Sequence, residues 1–96
     1  MSLTIQRSKE EQLVKILKAL SDETRLKIIA KMAKKETSCA NLGCDFDITA
    51  PTMSHHLKIL QECGLLLRRK EGQMYYNSLN HDLYNKVIET MGDLIK

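Results

Sequence analysis

Between Gly64 and Asn80 the chain abandons a helical repeat for a strand-like one, and that interruption constrains the fold more than any other feature. Leu65-Leu66-Leu67 is a short apolar run that continues into Arg68-Arg69-Lys70. Glu71-Gly72 supplies a turn, and Gln73 to Leu79 returns with the β-favouring pair Tyr75-Tyr76. The pattern predicts a two-stranded hairpin. Helices are expected on both sides of it.

Those helices follow from spacing and punctuation. Leu13, Ile16, Leu17 and Leu20 mark an amphipathic helix over Ile5 to Leu20. Ser21-Asp22 interrupts it and offers an N-cap for a second helix, Glu23 to Lys35, with Leu26, Ile29, Met32 and Ala33 on its packing face. Thr37-Ser38 is read as the cap of a short third helix around Cys39 to Cys44. Phe46 and Ile48 turn inward after it. Thr49 caps a fourth helix with Pro51 in its first turn, where a missing N–H costs nothing, and Gly64 closes it. Asn80 caps a last helix whose apolar set is Leu83, Tyr84, Val87, Ile88, Met91, Leu94 and Ile95. The expectation is a mainly α, α+β winged helix-turn-helix: about five helices and a two-stranded wing in one domain over residues 1–96.

A chain of 96 residues has room for one modest core, and burying more surface in a dimer is a common remedy at this size. Apolar content of 43% and charged content of 28% are those of a globular protein. A net charge of +3 permits a nucleic-acid partner without demanding one. No apolar run has membrane-spanning length and no signal-peptide pattern opens the chain, so the expected location is the cytoplasm. An odd cysteine count of 3 fits reduced thiols better than a disulfide framework.

On a helical wheel of about 100° per residue, Met53, Leu57 and Leu60 share one face of the fourth helix, with His56 at its margin. Pro51, His55, Lys58 and Glu62 fall opposite, and Thr52 and Ser54 lie on the flanks. One side is built to pack; the other is small, polar and mildly basic. Short hydroxyl side chains let a backbone approach base edges and phosphates, His55 offers a donor and an acceptor, and Lys58 matches a phosphate. A plain amphipathic surface helix fits the wheel as well.

Three blocks decide between these readings. Leu17-Lys18-Ala19-Leu20-Ser21-Asp22-Glu23-Thr24-Arg25-Leu26 resembles the opening signature of the ArsR/SmtB family of bacterial repressors. Pro51-Thr52-Met53-Ser54-His55-His56-Leu57-Lys58-Ile59-Leu60 with Glu62-Cys63-Gly64-Leu65 is similar to its reading helix. Arg68-Arg69-Lys70-Glu71-Gly72-Gln73 with Tyr75-Tyr76 and Leu79 is similar to its wing. The blocks keep the family's order and spacing over roughly residues 13 to 80. The resemblance implies a homodimeric repressor of a double-stranded DNA operator, with Thr49, Pro51, Thr52, Ser54, His55 and Lys58 facing the major groove. Its wing, through Arg68, Arg69, Lys70 and Gln73, would meet flanking backbone or the minor groove. Strand alternation sets Arg68 and Lys70 on one side and Arg69 on the other. A solvated edge hairpin carrying basic residues against aggregation is the competing reading.

The family also pairs its terminal helices across a two-fold axis, which implicates Leu13, Leu17, Leu83, Val87, Met91 and Leu94 in a dimer interface. Two reading helices would then stand about one duplex turn, roughly 34 Å, apart. Completion of one protomer's own core is the alternative for the same residues.

Relatives that sense metals use a thiol pair in the third helix, but here Ser38-Cys39-Ala40 presents one thiol. Cys39 and Cys44 diverge by about 140° on a helix. A second His is missing from the last helix, where His81 and Asp82 begin the right region. No metal site and no cofactor are therefore expected, although a metal- or thiol-responsive sensor of the same fold, using Cys39, Cys44 or Cys63, stays open. So do an unidentified protein or small effector, and a winged-helix module that binds protein and no DNA. Phe46-Asp47-Ile48-Thr49 and Gly72-Gln73-Met74-Tyr75-Tyr76 resemble the metal-free autorepressor branch. Enzymatic motifs are absent: no Gly-rich phosphate loop, no His-Glu-x-x-His and no nucleophile elbow.

Overall fold

The computed structural model describes residues 2–38, 42 and 46–95. Helices α1 (Ser2–Leu20) and α2 (Glu23–Lys34) lead into a two-residue strand, β1 (Thr37–Ser38). Helix α3 (Ala50–Glu62) precedes the hairpin β2 (Leu66–Glu71) and β3 (Met74–Leu79), and α4 (His81–Leu94) closes the chain. Cys39 to Cys44, the region of the expected short helix, lies mostly outside the described residues; Leu42 within it is helical and buried.

Helices α2, α3 and α4 each start where the sequence supplies an acceptor. The Asp22 carboxylate accepts from the Arg25 amide at 3.0 Å, Thr49 Oγ1 from the Thr52 amide at 3.4 Å, and Asn80 Oδ1 from the Leu83 amide at 3.2 Å. The end of α3 is a Schellman motif. The Gly64 amide donates to the Gln61 carbonyl at 3.0 Å and the Leu65 amide to the Leu60 carbonyl at 3.1 Å. Gly64 takes φ +91°, and Leu60 and Leu65 are both fully buried beside it. Asn80 then ties the next element down: its backbone N–H reaches the Leu65 carbonyl at 2.8 Å and its side-chain amide the Gly64 carbonyl at 3.1 Å. The end of α3, the base of the wing and the start of α4 thus form one hydrogen-bonded joint.

Two expectations need correction. The expected two-stranded wing is part of a three-stranded sheet in the order β1-β3-β2, in which Thr37 and Ser38, read from sequence only as a helix cap, pair antiparallel with Asn77 and Tyr76. The reason is non-local. The free edge of β3 offers ladder partners, and the buried Asn77 amide donates to the Thr37 carbonyl at 3.4 Å. In α2 the packing face is Ile28, Ile29 and Met32, while Leu26 is 51% exposed. Leu26 precedes Ile28 by two residues, about 200° around the helix, so the two cannot face the same core.

The core gathers Ile16 and Ala19 of α1, the α2 face, Met53, Leu57 and Leu60 of α3, Leu65, Leu66 and Leu79 of the hairpin base, and Val87 of α4. Phe46 and Ile48 pack against it as expected. No helix of the described residues is long and apolar enough to cross a membrane.

Candidate nucleic-acid interface

Burial of Met53, Leu57 and Leu60 fixes the roll of α3, and the opposite flank is therefore left in solvent. Thr49, Pro51, Thr52, Ser54, His55 and Lys58 are all exposed, so the whole expected reading set lies on one accessible side. The first turn carries no acidic residue. Its amides and the positive end of the helix dipole favour an anion there. Thr49 serves as the cap while its hydroxyl also donates to Thr52 Oγ1 at 2.9 Å. Lys58 is only loosely engaged, 4.0 Å from Glu62, with both side chains largely in water. Such a contact yields readily to a phosphate.

His56 sits on the inner margin, its side chain 12% exposed. Arg25 Nη1 lies 3.3 Å from His56 Nδ1, and Arg25 Nε donates to the Ala19 carbonyl at 2.6 Å. A guanidinium has no acceptor, so His56 Nδ1 must accept and its proton must reside on Nε2. Asp22 stands 3.9 Å from the same nitrogen. The α2 backbone amide of Arg25 holds the Asp22 carboxyl below its ordinary range, with the Arg25 charge reinforcing the shift. Arg25 thus ties the last turn of α1 to α3, a connection hidden in the sequence because its partners lie 6 and 31 residues away.

The wing turns on Gly72 and Gln73, one residue later than the Glu71-Gly72 turn expected. Glu71 pairs with Met74, and Gly72 takes φ +62° while Gln73 does not enter the positive region. Positive φ at the first of two turn residues is the II′ arrangement that suits the twist of paired strands. Leu66, Asn77 and Leu79 share a sheet face that is buried at the hairpin base. Farther out the same face carries Arg68 and Lys70 over the Tyr75 ring, at 4.3 and 5.6 Å from its centroid. Arg69 falls on the other face, 4.9 Å over Tyr76. There it meets two carboxylates that local reading did not reveal. Glu36 receives Nη2 at 2.8 Å and Nε at 3.3 Å, and Glu71 receives Nη1. The hydrogen bonds from Arg69 hold the Glu36 carboxyl below its ordinary range and hold the proton on Arg69 more firmly still.

Of the expected interface residues, Leu17, Met91 and Leu94 are exposed, Leu13 and Leu83 are half-buried, and Val87 belongs to the protomer's own core. Leu13, Ile16, Leu83 and Val87 line a groove of about 330 Å³ between α1 and α4. Cys63 is buried and its thiol donates to the Leu60 carbonyl at 3.3 Å; Cys39 and Cys44 lie outside the described residues.

A buried-backed helix with a small polar flank, followed by a basic hairpin, defines a winged-helix DNA-binding transcriptional regulator. Residues 22–67 match the family described as "Bacterial regulatory protein, arsR family". The chain is 39% identical over 84 residues to the HTH-type transcriptional regulator YceK of Bacillus subtilis, covering 85% of this chain and 84% of that one. With the arsenical resistance operon repressor of Staphylococcus aureus it shares 35% identity over 81 residues, 84% and 78% of the two chains. An ArsR-like transcriptional regulator from Rhodococcus sp. RHA1 superposes with a TM-score of 0.84 at 26% identity, covering 91% of this chain and 82% of that one. The homodimeric winged helix-turn-helix domain Mb0332 from Mycobacterium bovis superposes at 0.78 and 23% identity, over 92% and 84%. The chain belongs to the ArsR family of bacterial transcriptional regulators.

Proposed function

We propose that residues 1–96 form a single winged-helix domain that acts in the cytoplasm as a homodimeric repressor of a double-stranded DNA operator. The observation that carries this reading is the division of α3. Its Met53, Leu57 and Leu60 side is locked in the core, and its Thr52, Ser54, His55 and Lys58 side stands clear of the protein's own body. Ser54 and His55 read base edges in the major groove; Lys58, with Arg68, Lys70 and Gln73 of the wing, positions the helix through phosphates. Pro51 and the Thr49 cap bring the N-terminal amides of α3 to the backbone. The protein works by binding and not by catalysis, as its family of regulators does.

Dimerisation rests on α1 and α4. Val14 and Leu17 of α1, Ile88, Met91 and Leu94 of α4, and Ile95 just past its end are exposed apolar side chains, with Ile95 at 88%. Large apolar patches of this kind on a small domain mark a protein-binding surface. Leu13 and Leu83 line the groove beside them, above Val87. The repressor named among the relatives and the homodimer named among the structures support the assignment.

The test is duplex binding across a salt series, with protection mapping upstream of the protein's own gene. Lys58→Ala and Lys70→Ala should weaken binding to every duplex and flatten the salt dependence by about 0.9 each in log–log slope. Ser54→Ala and His55→Ala should instead change which sequences are preferred. Unaltered slopes in both lysine variants would overturn the phosphate roles. Leu94→Glu should yield monomers by sedimentation, and an intact dimer would remove the terminal helices from the interface.

A further inference from the structure

We propose that Glu36 is a specificity-determining residue that restrains the wing, by occupying the Arg69 guanidinium that duplex phosphates would otherwise take. The inference rests on the reading that the wing meets DNA. Arg68, Arg69 and Lys70 are consecutive, yet the hairpin deals them to two faces. Arg68 and Lys70 lean on Tyr75, whereas Arg69 is gripped through two of its nitrogens by Glu36 and through the third by Glu71.

The two carboxylates differ in what they are attached to. Glu71 belongs to the wing and moves with it. Glu36 lies in the link between α2 and β1, on the body of the protein, 33 residues from Arg69. Its two-point grip is the geometry that a phosphate would also present to a guanidinium, so Glu36 and DNA compete for one donor set. The grip is half in water, Arg69 being 50% and Glu36 38% exposed, which keeps it breakable.

Phosphate contacts carry no sequence information, so each one withheld lowers affinity for random duplex. At an operator, base contacts by α3 hold the wing against the backbone long enough for phosphate to replace Glu36. Occupying Arg69 therefore widens the gap between specific and non-specific binding.

The experiment compares the wild-type chain, Glu36→Gln, Arg69→Ala and the double variant on random-sequence duplex over a salt series. Glu36→Gln should bind severalfold tighter and steepen the log–log salt slope by up to about 0.9, the worth of one phosphate. In the Arg69→Ala background the same Glu36→Gln change should do neither. A Glu36→Gln variant that binds no tighter overturns the proposal. An equal gain with and without Arg69 overturns it too, since Glu36 would then act as a general negative charge. Lys70→Ala, on the opposite face, separates the two levels. If it flattens the slope while Glu36→Gln changes nothing, the wing binds DNA and only the restraint is refuted; if Lys70→Ala also changes nothing, the wing reading fails and the restraint falls with it. Thermal unfolding of each variant checks the fold, and Glu36→Ala gives a second route should Glu36→Gln unfold.

Discussion

Replacing Arg25 by Ala should damage this protein more than an ordinary surface change, because one guanidinium bridges two helices. The 2.6 Å bond from Nε to the Ala19 carbonyl is charge-assisted and partly buried. Hydrogen bonds of that class contribute about 1.5–3 kcal/mol, and partial exposure points to the lower end. The 3.3 Å contact with His56 Nδ1 adds about 1 kcal/mol. The sum, about 2–3 kcal/mol, is a large share of a stability on the order of 5–15 kcal/mol. For a domain of this size it corresponds to a melting temperature lower by roughly 10–20 °C. Urea titration monitored by circular dichroism measures it. A double-mutant cycle with His56→Ala isolates the Arg25–His56 term, which should emerge at about 1 kcal/mol. Arg25→Lys should recover little, since a point-like ammonium does not serve both acceptors at once. A coupling within about 0.3 kcal/mol of zero, or a lysine variant as stable as the wild type, would refute the two-point brace.

The positive-φ glycines should respond unequally. At Gly64 an added Cβ comes 3.0 Å from Leu83 Cδ2 in the packed joint, while at Gly72 it meets nothing within 4 Å. Both Ala variants pay about 1 kcal/mol for left-handed backbone, and Gly64→Ala should lose about 1 kcal/mol more by denaturant titration. Equal losses would show that Leu83 yields freely. Asp22 carries an acid dependence. Its folded carboxyl lies below the ordinary value of 3.8, so its contribution is complete above that value and lost as pH falls through the lower folded one. Asp22→Asn should therefore be less stable than the wild type at neutral pH and converge on it in strong acid; a constant gap across that range would contradict the assignment.

Much of this architecture was legible because its signals are local. Asp22, Thr49 and Asn80 act as caps within three residues of the amides they serve, and Gly64 stops α3 through its own φ. The 3.6-residue spacing of Met53, Leu57 and Leu60 was enough to divide α3 into a packed side and an open one, and alternation was enough to part Arg69 from Arg68 and Lys70. Leu26 was misread because four spaced apolar residues can be fitted by more than one helical phase, and only the packing of Ile28 and Met32 selects among them.

Pairings across the chain needed the folded structure. Thr37 and Ser38 have the composition of a cap, and what makes them a strand is the edge of β3, some 40 residues further on. Arg69 reads as a phosphate ligand until the fold brings Glu36 against it, and no local signal joins Arg25 to His56 or to the Ala19 carbonyl. Period, caps and turn residues determine elements because they act through bonds a few residues long. Which charge is matched, and by what, depends on contacts that exist only after the chain has closed on itself.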